Sequence, residues 1–270
     1  MIVTKKKSVI FVKKINEHHL VMKSEIISPI RHVPNTITCL NLFSGCLSIV
    51  MTFNGMLNMA AYFIFAAAVF DFFDGFAARW LKAYSAMGKE LDSLSDVVSF
   101  GVAPAAIMYA LLLSAAAKHG LTVETFSCGW WVAVSAYIIA VFSALRLAKF
   151  NIDTRQTDSF IGLPTPANAL FICSLAFVES VNQSILTESI FFLLAITVVF
   201  SYLLVSELPL FSLKFKSFDW KSNQIRYIFI ILSALVLIAL HWAGLSVVIL
   251  LYIIISIFTH ILCNRKVSDS

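Results

Sequence analysis

The amino-acid sequence predicts an all-α integral membrane protein, a polytopic helical bundle of about eight transmembrane helices. Three observations predict this class: 60% of the 270 residues are hydrophobic, only 13% are charged, and the mean hydropathy is +0.89. Soluble domains hold roughly 45–50% apolar and about 25% charged residues. The apolar runs are also too long and too continuous for the alternating segments of a transmembrane β-barrel.

The apolar runs divide into eight predicted spans, each near the length that crosses a bilayer. The seventh is short and leads into the tight turn HWAG (residues 241–244). This segment suits either a helical hairpin or a helix that inserts only partly into the membrane. We expect a basic cytosolic N-terminal extension (1–30), a membrane core (31–210), and additional C-terminal helices with a short tail (211–270). The spans are 36–53, 58–80, 92–114, 130–148, 166–183, 187–206, 227–241 and 244–262.

Lysine and arginine predict the orientation, because cytosolic loops are enriched in these residues. If the N-terminus is cytosolic, 19 of the 20 lie on the cytosolic side and only Lys118 lies on the other. We therefore expect an integral protein of the cytoplasmic (inner) membrane with both termini in the cytosol. The cytosolic segments are 1–35, 79–91, 146–165, 207–226 and 263–270.

Four aspartates stand at the ends of two apolar runs, in the stretch DFFDGFAARWLKAYSAMGKELDSLSD (residues 71–96). A carboxylate near lipid costs several kcal/mol unless it is paired or bound to a metal. Helical spacing places the polar and small residues of each run on one face. The two runs are adjacent and antiparallel, so these faces can meet at the depth of the lipid headgroups. The faces carry Asp71, Asp74, Gly75, Ala78 and Arg79 in the second span, and Gly88, Asp92 and Asp96 in the third.

Converging carboxylates repel one another unless cations lie between them. Mg²⁺ and Mn²⁺ suit carboxylate and phosphate oxygens, and two such ions form a clamp for displacement at phosphorus. Gly75 and Gly88 leave room for a ligand near the backbone, and Arg79 offers a fork of donors to phosphate. Charged residues at helix ends also serve as interfacial anchors. That role does not explain why polar and small residues line two facing sides of adjacent helices.

The stretch has a spacing that resembles the complete signature of the CDP-alcohol phosphotransferase family. The resemblance implies transfer of a phosphatidyl or similar group from a CDP-linked lipid to an alcohol, with release of CMP. It implies a six-helix membrane core that can form a homodimer, two divalent cations (Mg²⁺ or Mn²⁺) held by the four aspartates, and Asp96 as general base. It also implies a CDP site lined by Gly75, Ala78, Arg79 and Gly88. The pattern is Asp71-x2-Asp74-Gly75-x2-Ala78-Arg79-x8-Gly88-x3-Asp92-x3-Asp96.

Further stretches resemble the phosphatidylserine synthase branch of this family in bacteria and archaea. They are HVPNTITCLNLFSG (32–45), LRLAKFN (145–151) and FIGLPTPANA (160–169). Lys149 stands where that branch has an arginine, and Asn168 stands where it has an alanine. The resemblance implies CDP-diacylglycerol and L-serine as substrates in a lipid bilayer, with no nucleic acid as partner.

Serine brings a carboxylate, so a pocket for it needs a cation besides the metals. Arg146 is the first candidate for acceptor binding, with Lys149 and Asn151 beside it. Arg146 equally suits an anchor at the cytosolic face, and Asn151 suits a turn cap. Asn35, Thr38 and Asn41 are candidates for contact with the nucleotide or phosphate of the CDP-lipid, and a helix cap is the alternative for Asn35.

Two alternative functions are considered. The same chemistry with inositol phosphate or glycerol 3-phosphate as acceptor would require an additional basic pocket for the phosphate. A cation transporter would place carboxylates near the bilayer midplane on broken helices, whereas these aspartates cluster at one face.

Overall fold

The structure is a computed structural model that describes residues 32–152, 160–182, 185–210 and 219–268. Nearly all of these residues are helical, which confirms the predicted all-α class. The predicted N-terminal extension lies outside the described residues. The helices are α1 (His32–Phe53), α2 (Leu57–Trp80), α3 (Ala86–Asp96), α4 (Ala103–Lys118), α5 (Cys128–Val134), α6 (Ile138–Ile152), α7 (Thr165–Asn182), α8 (Ile185–Glu188), α9 (Ile190–Val205), α10 (Trp220–Leu240) and α11 (Gly244–Ser268).

Short elements connect these helices. A π-helical turn follows α3 directly, and 3-10 turns precede α6 and α11. An antiparallel ladder pairs Phe160 with Leu210 and so ties the loop before α7 to the loop after α9. The short elements are the π turn Val97–Val102, the 3-10 turns Ser135–Tyr137 and His241–Ala243, and the strands β1 (Phe160–Ile161) and β2 (Pro209–Leu210).

The chain is an integral membrane protein by the length and composition of its helices. Within the described residues, two apolar helices are shorter than a full span, Thr165–Glu179 and Ile190–Val205. Each of the eight predicted spans overlaps a helix, while the count of eight crossings stays a prediction. Five stretches are long and apolar enough to cross a membrane: His32–Phe53, Leu57–Trp80, Ala86–Lys118, Cys128–Ile152 and Asn223–Thr259.

The last of these stretches is a helical hairpin, one of the two alternatives that the sequence leaves open. The backbone reverses at His241, which has a φ of 51°. The rings of Phe229 and Tyr252 lie 5.8 Å apart between centroids. In one straight helix these residues would be separated by about 35 Å, at 1.5 Å per residue. Helices α10 and α11 therefore double back on each other.

Helix α4 occupies the centre of the bundle and packs against α1, α2, α5, α7 and α9. Its buried face is rich in alanine, with Ala103, Ala106 and Ala115 almost fully enclosed. Small residues allow membrane helices to approach closely, because no long side chain separates their backbones. This central helix gives the surrounding helices a fixed support.

Helix α1 runs beside α3 and the π turn in the same direction. The hydroxyl of Ser95 donates to the carbonyl of Thr38 at 3.2 Å, and the hydroxyl of Ser99 donates to the carbonyl of Asn41 at 3.0 Å. Gly45 permits this approach, since a Cβ atom there would lie 2.8 Å from the Cα atom of Ser99. The contact holds the start of α1 next to the two aspartate-bearing helices.

Candidate active site

Three carboxylates meet where α2 ends and α3 begins. One oxygen from each of Asp71, Asp74 and Asp92 lies within 4.8 Å of the other two. Helix α1 packs against both α2 and α3, so side chains of these two helices that are distant in sequence face each other beside it. The structure thus brings together three of the four aspartates that helical spacing places on facing sides.

Asp96 lies one turn further along α3 and is deeper in the bundle, with 9% of its surface exposed. Its carboxylate interacts with that of Asp71. The side-chain amide of Asn41 donates to Oδ1 of Asp96 at 3.4 Å. Asp96 therefore adjoins the three-carboxylate group without being an equal member of it, which sets it apart as a candidate for proton transfer.

The residues of this cluster fit a divalent cation. Within the described part of the chain, none of these aspartates forms an ion pair with a lysine or arginine. Asp74 is buried, and its Oδ2 atom has no hydrogen-bond partner within the described part of the chain. Hard divalent cations prefer carboxylate oxygens, and a cation would offset the mutual repulsion. The cluster can therefore hold a divalent metal ion.

A cavity of about 270 Å³ opens beside Asp74 and Asp92. Two cationic side chains, Arg79 and Lys89, share its wall with these carboxylates. A phosphate group bound there would meet cations on one side and carboxylates that suit metal ions on the other. Asn41, one of the seven predicted CDP-lipid contacts, does not line the cavity. The other six do, namely Asn35, Thr38, Gly75, Ala78, Arg79 and Gly88.

The two glycines of this cavity have different surroundings. A Cβ atom on Gly75 would have only the Arg79 guanidinium within 4.0 Å, so Gly75 borders open space. A Cβ atom on Gly88 would lie 2.9 Å from Oδ1 of Asn35 and 3.0 Å from Oγ of Ser85. The backbone N–H of Gly88 also donates to Ser85, which caps α3. Gly75 therefore leaves room for a ligand, whereas Gly88 allows α1 to approach α3.

Of the three predicted acceptor residues, Arg146 is the one that interacts with an aspartate of the site. It is 8% exposed and interacts electrostatically with Asp96. Its Nη1 atom donates to the hydroxyl of Thr165 at 3.5 Å, which links α6 to α7. The Nε atom has no hydrogen-bond partner among the described residues. A buried guanidinium with an N–H donor that has no partner among the described residues is suited to an anionic ligand.

The other two predicted acceptor residues contact protein side chains. Lys149 pairs with Glu207 at 3.3 Å on a partly exposed surface. Asn151 donates to the hydroxyl of Ser93 at 2.8 Å and so ties the end of α6 to α3. Their part in acceptor binding stays a prediction.

Sequence reasoning missed Lys89. It lines the cavity, and its position three residues before Asp92 places it on the same helical face. The signal is weak in the sequence, because a lysine near a helix end usually contacts solvent. Asn41, a predicted contact of the nucleotide or phosphate, instead donates to Asp96.

Comparison with protein families identifies the class of this fold and site. The model of the CDP-alcohol phosphatidyltransferase family matches residues 31–205. The chain therefore belongs to the CDP-alcohol phosphatidyltransferase family. The sequence resemblance to this family is thereby confirmed.

Curated relatives share a narrower description. The chain is 33% identical over 245 residues to the CDP-diacylglycerol–serine O-phosphatidyltransferase of Helicobacter pylori (strain J99), covering 89% of this chain and 96% of that protein. It is 36% identical over 146 residues to the protein of the same description from Bacillus subtilis (strain 168), covering 54% and 76%. It is 35% identical over 144 residues to the archaetidylserine synthase of Methanothermobacter thermautotrophicus, covering 53% and 56%.

Proposed function

We propose that this chain transfers the phosphatidyl group of CDP-diacylglycerol to the hydroxyl of L-serine, which gives phosphatidylserine and CMP. The observation that carries the proposal is the similarity to a serine O-phosphatidyltransferase over 96% of that relative's length. The aspartate cluster beside a cavity with two cations supplies the groups that the reaction needs. The proposed core is residues 31–210, followed by C-terminal helices in 211–270.

Two divalent cations, Mg²⁺ or Mn²⁺, are the proposed cofactors, with Asp71, Asp74, Asp92 and Asp96 as their ligands. When bound, such ions stabilise the charge on the attacking and leaving oxygens of a displacement at phosphorus. The convergence of three carboxylates within 4.8 Å supports this assignment. The buried Oδ2 atom of Asp74, which lacks a hydrogen-bond partner among the residues that the structure describes, supports it independently.

The cavity beside Asp74 is the proposed site for the CDP end of the lipid substrate. Arg79 donates to the pyrophosphate, and Lys89 adds a second positive charge at the same wall. Gly75 has no side chain and Ala78 has only a methyl group, so the nucleotide can lie close to the backbone of α2. Asn35, Thr38 and Gly88 form the side contributed by α1 and α3.

Asp96 is the proposed general base. It accepts the proton of the serine hydroxyl while that oxygen forms a bond to the phosphorus attached to diacylglycerol. The bond from this phosphorus to the CMP oxygen breaks, and CMP leaves with the electron pair. Asn41 donates to Asp96 and holds its carboxylate in one orientation. Arg146 binds the serine carboxylate, with Lys149 and Asn151 as further predicted contacts.

We also propose that the site and both termini face the cytosol. A homodimer stays a prediction. The distribution of lysine and arginine supports this orientation. Trp242, in the turn between α10 and α11, packs on Tyr62 and Phe65 with ring centroids 5.7 and 5.1 Å away. These residues precede Asp71 on α2, so the hairpin turns at the end of the bundle remote from the aspartates. Helix α11 then returns towards the aspartate end.

The proposal is tested with purified protein in detergent, CDP-diacylglycerol, and Mg²⁺ or Mn²⁺. L-Serine, myo-inositol 1-phosphate and glycerol 3-phosphate are added separately, and CMP release is measured. We expect release with serine only, loss of release on chelation, and recovery when either metal is restored. Release with another acceptor would overturn the assignment of serine, and no release from folded protein would overturn the assignment of the donor.

A further inference from the structure

Lys89 lines the cavity without forming an ion pair among the described residues. It lies in the first turn of α3, where the partial positive charge of a helix N-terminus disfavours another positive charge. Asp92 stands three residues later on the same face and lines the same cavity, yet the ammonium of Lys89 does not pair with it. An anion that binds in the cavity would explain a lysine in this position.

A closed series of hydrogen bonds joins Lys89 to the end of α6. Its ammonium donates to the backbone carbonyl of Asn151 at 3.5 Å. The side-chain amide of Asn151 donates to the hydroxyl of Ser93 at 2.8 Å, and this hydroxyl donates to the carbonyl of Lys89 at 3.2 Å. Asn151 therefore bonds to both ends of one turn of α3, and the ammonium is held at the wall of the cavity.

The contact with Asn151 leaves Lys89 able to bind a ligand. A lysine ammonium has three N–H donors, and the bond to Asn151 uses one of them at a distance longer than usual. Its partner there is a neutral carbonyl, whereas a hydrogen bond between charged groups is roughly twice as strong. A phosphate in the cavity can therefore bind the remaining donors while Asn151 keeps the side chain in place.

The depth of the side chains indicates which phosphate meets Lys89. Asp74 is buried, whereas Lys89 is exposed, and both line the cavity. A pyrophosphate with one phosphorus at the buried aspartates has its other phosphate nearer the exposed side of the cavity. The reacting phosphorus lies at the aspartates in the proposed function, so the phosphate near Lys89 is the one bonded to cytidine.

We propose that Lys89 is a catalytic residue that binds the phosphate which leaves with CMP, and that Asn151 and Ser93 hold it in position. This inference rests on the proposed function. The serine oxygen bonds to the phosphorus attached to diacylglycerol, and its proton passes to Asp96. The bond from this phosphorus to the bridging oxygen breaks, and that oxygen leaves on CMP with the electron pair. Lys89 donates to the CMP phosphate as its negative charge grows, and no proton is transferred from the lysine.

Equilibrium binding of CMP and of cytidine, with Mn²⁺ present, tests the contact with the phosphate. In Lys89→Met we expect the Kd of CMP to rise at least about tenfold, as for the loss of a charge-assisted hydrogen bond. The Kd of cytidine should change less than about twofold, because cytidine has no phosphate. Lys89→Arg keeps the charge and should retain most of the affinity for CMP.

Lys82→Met is the matched control. It removes a cation from the loop between α2 and α3 that does not line the cavity, so both Kd values should stay at the wild-type values. An unchanged Kd of CMP in folded Lys89→Met protein would overturn the inference. An equal rise for cytidine, or an equal rise in Lys82→Met, would also overturn it, because neither result requires a contact between Lys89 and the phosphate.

Ser93→Ala tests the positioning role. Ser93 does not line the cavity, so its hydroxyl affects CMP through Asn151 and Lys89. We expect Ser93→Ala to raise the Kd of CMP about threefold in otherwise wild-type protein. In the Lys89→Met background it should add less than about 1.5-fold, because both changes act on one contact. Equal effects in the two backgrounds would overturn the positioning role.

The rate of CMP release provides the catalytic measurement. With L-serine and saturating CDP-diacylglycerol, Lys89→Met should lower kcat at least about tenfold, because the charge that Lys89 stabilises develops in the transition state. An unchanged kcat would overturn the catalytic role. The binding measurements need no acceptor, so they decide the contact with CMP by themselves. Wild-type protein that binds CMP but does not use serine would instead overturn the proposed function.

Discussion

Asp96 and Asp71 carry the same side chain on facing helices, but their surroundings differ. Asp71 has an oxygen within 4.8 Å of Asp74 and Asp92, where a shared cation would satisfy all three. Asp96 accepts a hydrogen bond from Asn41 and interacts electrostatically with the Arg146 guanidinium. The first environment suits a metal ligand, and the second suits a base next to an anionic acceptor.

This difference predicts different defects for two isosteric variants. Asp96→Asn should lower CMP release by a factor of about 10²–10⁴, the usual contribution of a general base, while CDP-diacylglycerol still binds. Asp71→Asn should weaken Mn²⁺ binding, because the cluster loses a charged ligand. Paramagnetic resonance of Mn²⁺ titrations, together with CMP release, measures both effects. An active Asp96→Asn protein would exclude Asp96 as the base.

Helix α1, which packs against α2, α3 and α4, also makes one unusually close contact with the π turn. Gly45 lies against Ser99 in the π turn, and the hydroxyls of Ser95 and Ser99 donate to carbonyls that precede Gly45 on α1. π-helical turns inside α-helices are rare overall. Where they occur, they often lie at functional sites. Here the turn starts immediately after Asp96, so the contact of α1 with it also determines where Asn41 meets Asp96.

Gly45→Ala should therefore reduce both stability and activity. The added methyl would lie 2.8 Å from the Cα atom of Ser99, and overpacking of this kind usually costs about 1–3 kcal/mol. We expect a lower thermal midpoint in detergent and a lower kcat. Cys46→Ala changes an exposed neighbour on the same helix and should leave both at wild-type values. A Gly45→Ala protein of unchanged stability and activity would show that α1 adjusts freely.

The two ends of the bundle differ chemically. One end carries the aspartates, the cavity and Arg79. The other end carries Lys118, which pairs with Glu179 at 3.4 Å and Glu188 at 3.0 Å. These carboxylates come from α7 and α8, so the pairs join the C-terminal end of α4 to both of these helices. Partly exposed pairs of this kind contribute little stability.

This asymmetry predicts which residues are accessible from each side of the membrane. In a variant without native cysteines, His119→Cys should react with an impermeant maleimide in intact right-side-out vesicles. Lys82→Cys, in the loop between α2 and α3, should react only after the vesicles are opened. The opposite pattern would reverse the proposed orientation. Equal labelling at both positions would indicate that the vesicles leak, which an impermeant marker enclosed in them checks.

The sequence by itself determined the helices and the faces that they present. Hydropathy is a sum over neighbouring residues, so eight apolar segments can be recognised without knowledge of the fold. The spacing of Asp71, Asp74, Asp92 and Asp96 is also local, since 3.6 residues per turn place them on two faces. The short loop between the two helices then leaves few arrangements in which those faces do not meet.

Only the tertiary structure decided which distant residues complete the site. The contact of Arg146 with Thr165, the pairing of Lys149 with Glu207 and the bond from Asn151 to Ser93 depend on how α3, α6, α7 and α9 pack. A cation after an apolar run has the same sequence signature whether it binds a ligand or anchors a helix. Packing separates these outcomes, because it removes water from some polar groups and leaves others in contact with solvent.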